Sequence, residues 1–284
     1  MRIASLQPSI TLTLHALDRL DSLCAITKYC LEFLPELADR NLPVLHDSWS
    51  FDRSGNLEIL QATKPDIVLA SVPYRLESLT AILKSALPVL TLAPHTLADI
   101  ANDIRLIAAL VQATPAAEIL LAQIEAILTQ TRTLAATAPD QPIVYCEEWG
   151  KPLIHSQHWV AELVATAGGA FLGTPGSHTT AEAIAALPEP EQPEVLLFAW
   201  CGAGNRVPLE RVIQQRNWHH LRAVRNHRVF CIPDEYLNTP APTILQGLAC
   251  IAAATHPQLF GPHKALIQLG EATLESTAES TAKN

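Results

Sequence analysis

The feature that most constrains this fold is a unit that occurs twice. The first copy is Asn56-Leu57-Glu58-Ile59-Leu60-Gln61-Ala62-Thr63-Lys64-Pro65-Asp66-Ile67-Val68-Leu69-Ala70. The second is Thr180-Ala181-Glu182-Ala183-Ile184-Ala185-Ala186-Leu187, a Pro-rich spacer, then Pro193-Glu194-Val195-Leu196-Leu197-Phe198-Ala199. Each copy places a Glu on a short amphipathic segment, then Pro followed by an acid, then an unbroken apolar run. A short apolar run entered through a proline turn reads as a strand buried on both faces. A helix–strand unit used twice predicts two similar α/β lobes. Two lobes that face each other leave a cleft, where ligands commonly bind.

The rest of the chain alternates in the same way. Ile3–Leu6, Leu23–Thr27, Pro43–Leu45, Ile67–Ala70 and Val89–Leu92 read as strands, with helices over residues 10–20, 56–63 and 75–85. Ser9 is the expected cap of the first helix and Thr96 of a helix reaching Val111. Pro115 opens the longest helical stretch, to about Ala136, with Leu120, Ile124 and Leu128 on one face. The second lobe has strands at Ile143–Glu147, Val195–Ala199 and Val229–Ile232, and helices at Trp159–Ala167 and Pro242–Ala254. The expected fold is α/β, with two lobes of mainly parallel, helix-covered sheet joined by one long backbone helix. The expected divisions are an N-terminal lobe over 1–112, the connecting helix over 113–137, a C-terminal lobe over 138–265 and a flexible tail over 266–284.

Composition narrows the function. The 284 residues carry a net charge of −9 with no basic stripe, so nucleic acid is not an expected partner. Six cysteines without a C-x-x-C pair argue against a zinc ribbon or a dithiol redox site, and read as buried thiols. No apolar run approaches the ~18 residues of a membrane span. Met1 leads directly into the first strand with no secretion signal in view. The chain as written is therefore expected in the cytoplasm, or in the periplasm or anchored at the surface if a leader has been removed.

Loops after strands carry ligand contacts in α/β folds. Of fifteen Trp, Tyr and Phe residues, six fall in such loops: Trp49, Phe51, Tyr74, Trp149, Trp200 and Tyr236. Such rings suit a flat, partly polar ligand, or alternatively pack one lobe on the other. With Tyr29, Cys30, Arg75, Glu148 and Cys201 they form the expected binding set. Arg75, Glu148 and Asp234 are expected to bond a polar ligand rim. An alternative is a cytosolic metal-assisted enzyme using Cys30, His46 and Cys201, although their spacing matches no local metal motif. Gly202-x-Gly204 lacks the remaining glycines of a dinucleotide loop. No resident cofactor is expected. Glu58 and Glu182 read as solvated helix acids or as matched carboxylates that pair with arginines of a symmetric partner.

These pieces, in order, resemble the helical-backbone (class III) periplasmic binding proteins of ABC importers for cobalamin and ferric siderophores, most nearly the cobalamin branch. The resemblance covers about residues 2–260. It is carried by Ile3-Ala4-Ser5-Leu6-Gln7-Pro8-Ser9, Ile26-Thr27-Lys28-Tyr29-Cys30, Asn56-Leu57-Glu58, Lys64-Pro65-Asp66-Ile67-Val68 and residues 91–104. Glu148-Trp149 with Pro152, Trp159-Val160-x-Glu162-Leu163 to Gly168-Gly169, Pro193-Glu194-Val195, Cys201-Gly202 and Tyr236-Leu237-Asn238-Thr239-Pro240-Ala241-Pro242 complete it. The resemblance implies a non-enzymatic carrier of a corrinoid or metal chelate held between lobes. It implies that Tyr29, Trp49, Tyr74, Trp149 and Tyr236 line the cleft, and that Glu58 and Glu182 dock on an ABC permease. The long His46–Ser54 connection and Trp200–Arg206 depart from the family pattern and bear on ligand choice.

Overall fold

A computed structural model describes residues 1–53 and 55–270. The chain forms two compact units. One contains Met1–Ile127 and Thr239–Ile244; the other contains Leu128–Asn238 and the described residues from Leu245 onward. The last fourteen residues of the expected tail, 271–284, lie outside the described residues.

The first unit is built on five parallel strands: β1 (Ile3–Ser5), β2 (Leu23–Thr27), β3 (Val44–Leu45), β4 (Ile67–Ser71) and β5 (Val89–Leu92), in the order β3-β2-β1-β4-β5. β1 and β2 are wholly buried, as central parallel strands covered by helices must be. Leu6, Phe51, Leu60, Val68 and Ile82 share one core face. The first helix runs Pro8–Ala16 with Gln7 as its N-cap, so Ser9 is not the cap; it lies buried inside the first turn. Pro8 explains the early start, because its missing N–H is one the first turn leaves unpaired anyway. Thr96 does cap Leu97–Leu110, through a capping box with Asp99. Thr114–Ala135 is a helix of 22 residues.

In the second unit β6 (Ile143–Gly150), β7 (Leu153–His155), β8 (Ala170–Phe171), β9 (His178–Thr179), β10 (Val195–Phe198), β11 (Val229–Cys231) and β12 (Ile267–Gln268) form one sheet. Its path is β12-β11-β10-β6-β7-β9, with β8 also on β6. The centre β11-β10-β6 is parallel, while β12, β7 and β9 add antiparallel edges. Its core gathers Tyr145, Phe198, Val212, Trp218 and Leu221.

The repeated unit has one structural role in both places. β4 lies beside β1 in register Ile3↔Ile67, and β10 beside β6 in register Val144↔Val195. The acid after each proline fastens that pairing. Asp66 donates its N–H to the Arg2 carbonyl at 2.8 Å, and its carboxylate accepts the Arg2 N–H at 2.7 Å. Glu194 does the same with Ile143, at 2.8 and 3.0 Å. Asp66→Ala is expected to cost about 1–2 kcal/mol by removing a charge-assisted bond at the strand entry. Glu194→Ala is expected to cost more, because Arg222 also donates to Glu194, at 2.6 Å, and loses that partner. Urea unfolding of both variants measures the difference, and equal costs would contradict it.

Candidate functional site

The longest strand, β6, carries two consecutive acids near its end, Glu147 and Glu148. Glu147 points inward and is fully buried. Its carboxylate accepts the Tyr145 hydroxyl, the Trp200 indole N–H at 2.7 Å, and both Arg216 Nη atoms at 2.8 and 2.9 Å. The Arg216 guanidinium carbon lies 4.8 Å from the Trp218 ring centre, 5.8 Å from Phe198 and 5.9 Å from Trp200. Burial, and then the Glu147 charge, push the Tyr145 hydroxyl well above the usual range. Trp200 is thus oriented by a buried ion pair, and its ring lies over Gly150, where a Cβ would sit 2.6 Å from it. Sequence reasoning missed Glu147 and Arg216. The available signal was an acid ending the apolar run Val144-Tyr145-Cys146, which requires a buried partner.

The next residue, Glu148, is half-buried and accepts Gln157 Nε2 at 2.5 Å. Loss of solvent pushes its carboxyl up to about 7, against the pull of the Gln157 bond. Asn238 Nδ2 donates to the Ala199 carbonyl at 2.6 Å and to Cys201 Sγ at 3.3 Å. Desolvation, with the Glu148 and Asp234 charges, pushes the Cys201 thiol up to about 12. The Gly-x-Gly turn wraps an internal anion: Asp234 accepts the N–H groups of Gly202 and Gly204, both at 2.8 Å. Both glycines have left-handed φ, +77° and +58°, a conformation that favours glycine. Asp234, expected at a ligand rim, therefore serves its own loop. Trp149, expected in a loop after Glu147, lies within β6, which runs on to Gly150; it is 44% exposed, with its indole N–H tied to the Lys151 carbonyl at 2.9 Å. Tyr236 is half-buried in the turn Asp234–Tyr236.

In the first unit the expected residues separate into surface and core. Trp49 is 46% exposed. Its carbonyl accepts Arg75 Nε at 2.8 Å and Ser78 Oγ at 2.7 Å, and the Arg75 guanidinium carbon lies 5.9 Å from its ring centre. Asp52 accepts Ser78 Oγ at 2.7 Å and pairs with Arg75; the Ser78 bond and then the guanidinium hold its carboxyl below the usual range. Arg75 therefore straps the Trp49 loop to the helix Leu76–Leu83. Tyr74 is half-buried and its hydroxyl donates to the Leu92 carbonyl at 2.9 Å. Tyr29 is half-buried, with the Lys28 ammonium 4.5 Å from its ring centre.

Two expected contacts prove to be core residues. Phe51 is 1% exposed and packs with Leu45, Leu60 and Ile82, so it presents no face to a ligand. Cys30 is 1% exposed, with Sγ 3.1 Å from Thr11 Oγ1 and 3.3 Å from Thr27 Oγ1. The His46 N–H is held by Asn56 Oδ1 at 2.9 Å. Among the described residues no group of three His, Cys, Asp or Glu side chains is placed to hold a metal. Glu58 and Glu182 are exposed in the first turns of Asn56–Thr63 and Ala181–Ala185. A shallow cavity of about 440 Å³, lined by Arg2, Leu23, Pro43 and Ile59 among others, opens where the first-unit strands begin, at the other edge from these loops.

A family model described as periplasmic binding protein matches residues 3–236. No curated protein sequence gives a significant match. Among solved structures, a periplasmic heme-binding protein from Pseudomonas aeruginosa superposes with a TM-score of 0.79 at 19% identity, covering 96% of this chain and 99% of that one. The heme-binding protein RhuT from Roseiflexus sp. RS-1, in apo form, gives 0.74 at 22%, covering 90% and 97%. The vitamin B12 binding protein BtuF of Vibrio cholerae gives 0.69 at 21%, covering 89% and 96%. Identities this low establish a shared fold.

Proposed function

The chain belongs to the periplasmic binding protein family, and on that premise we propose that it binds, without transforming, a bulky flat small molecule: a corrinoid of the cobalamin type, or a metal chelate such as heme. The observation that carries this reading is the family match across residues 3–236, joined by solvent-facing indoles, Trp49 in a loop of one unit and Trp149 near the end of β6 in the other. Structural neighbours that bind heme or vitamin B12 support the ligand class. The Arg75 strap and the Glu147–Arg216 pair hold Trp49 and Trp200 before any ligand arrives, which lowers the ordering cost of binding.

Equilibrium titration with cobalamin, cobinamide and hemin, followed by Trp fluorescence and calorimetry, tests the proposal. Saturable quenching by at least one is expected, with Trp49→Ala and Trp149→Ala each weakening it by up to about tenfold. Absence of heat and quenching for all three at high micromolar concentration would overturn it.

A partner role for Glu58 and Glu182 accompanies this reading. Exposed acids near helix N-termini suit arginines of an ABC permease, and the family places such an encounter at the periplasmic face of a membrane. Charge reversal at both positions should abolish capture by the permease while leaving ligand affinity unchanged.

A further inference from the structure

A second, smaller cavity lies within the first unit. It has about 10 Å³ of free space, the room for one water molecule or one small ion. Ser9, Ile10 and Thr13 from the first helix, Ser71 at the end of β4, Leu92 at the end of β5, Asp103 with its helix neighbours and Pro240 line it. Its polar side chains are three that bear hydroxyls, Ser9, Thr13 and Ser71, and the Asp103 carboxylate.

Asp103 is the one charged group that lines the cavity, and it is half-buried. Its carboxyl is pushed up to about 6, first by desolvation and then by the neighbouring Asp99 charge, with no hydrogen bond or cation opposing either effect. The acids and hydroxyls around it bring no relief. Asp99 is itself engaged by the N–H groups of His95 and Thr96, at 3.0 and 2.9 Å. The Tyr74 hydroxyl donates to the Leu92 carbonyl. Thr13 Oγ1 donates its proton to the Ser9 carbonyl at 2.8 Å, which leaves its lone pairs as acceptors.

We propose that this cavity binds one monovalent hard cation, Na⁺ or K⁺, with Asp103 supplying the charge and Ser9, Thr13 and Ser71 the neutral oxygens. Side chains whose only polar atoms are oxygens favour hard cations over zinc or copper. A single carboxylate balances one positive charge; Ca²⁺ takes six to eight oxygens, commonly several carboxylates, and Mg²⁺ demands a near-octahedral set. The site stands independently of the ligand proposed above.

The test is thermal unfolding of the full chain in NaCl, KCl and choline chloride at equal ionic strength, without other ligand. The wild type is expected to melt about 3 °C higher in Na⁺ or K⁺ at ~100 mM than in choline, with saturable concentration dependence. Asp103→Asn, close in shape, should melt at one temperature in all three salts. Ser71→Ala should shift the concentration dependence upward by about tenfold and carries the test if the first variant folds poorly. Identical wild-type midpoints in the three salts would overturn the proposal in favour of a buried water. A salt preference that survives in Asp103→Asn would overturn the assignment to this cavity.

Discussion

Arg216→Met is expected to destabilise the second unit by about 3–5 kcal/mol, the largest effect of any single substitution considered for this protein. The variant strands Glu147 in a fully buried position with only the Tyr145 hydroxyl and Trp200 indole as partners. It also removes the cation that the Trp218, Phe198 and Trp200 rings surround. Two neutral donors cannot replace a bidentate guanidinium in a site that water does not reach. The double variant Glu147→Leu with Arg216→Met should recover most of the loss, because no charge is then left unpaired in the core. Urea unfolding followed by far-ultraviolet circular dichroism measures both. A single variant within ~1 kcal/mol of wild type would show that the pair is not the organising contact inferred from its geometry. The same variant should weaken the proposed ligand, since Trp200 takes its orientation from Glu147.

Glu148→Gln is expected to stabilise the protein in alkaline solution, by about 2 kcal/mol near pH 8, and to change little near pH 4. Folding raises this carboxyl from its ordinary value near 4.5 to about 7, chiefly by desolvation. The folded state therefore favours the protonated form. Its contribution to stability is fully present below about pH 4.5, declines as pH rises, and is lost above about 7. Glutamine has no charge to desolvate and retains an oxygen to accept the Gln157 amide. Unfolding free energies measured at pH 5 and pH 8 check the sign: the wild type should lose stability relative to the variant across that interval. A constant difference would place the titration elsewhere. Where the proposed ligand meets this carboxyl, its affinity should change with a midpoint near 7 in the wild type and stay level in the variant.

Much of the local structure was legible before any coordinates. The strands Leu23–Thr27 and Val89–Leu92 and the helix Asn56–Thr63 occur at their expected bounds. Each is set by an apolar run or a turn signal inside its own few residues. The Thr96 cap was readable for the same reason, since its partner Asp99 is three residues away. Ser9 misled because Pro8 and Ser9 both signal a helix start, and the proline took the first position.

The sequence by itself determined that this chain alternates strand and helix, uses one helix–strand unit twice, and brings indoles to strand ends and the loops beyond them. Tertiary structure alone decided what those loops do. Phe51 and Cys30 stand beside Trp49 and Tyr29 in kind and spacing, yet they are core, because Leu60 and Ile82 cover one and Thr11 and Thr27 hold the other. Asp234 faced the ligand on paper and closes on glycines 30 and 32 residues earlier in the fold. Glu147 finds its arginine 69 positions away. The physical reason is range: helices and strands answer to neighbours within about four residues, whereas burial and charge pairing depend on which strands lie side by side.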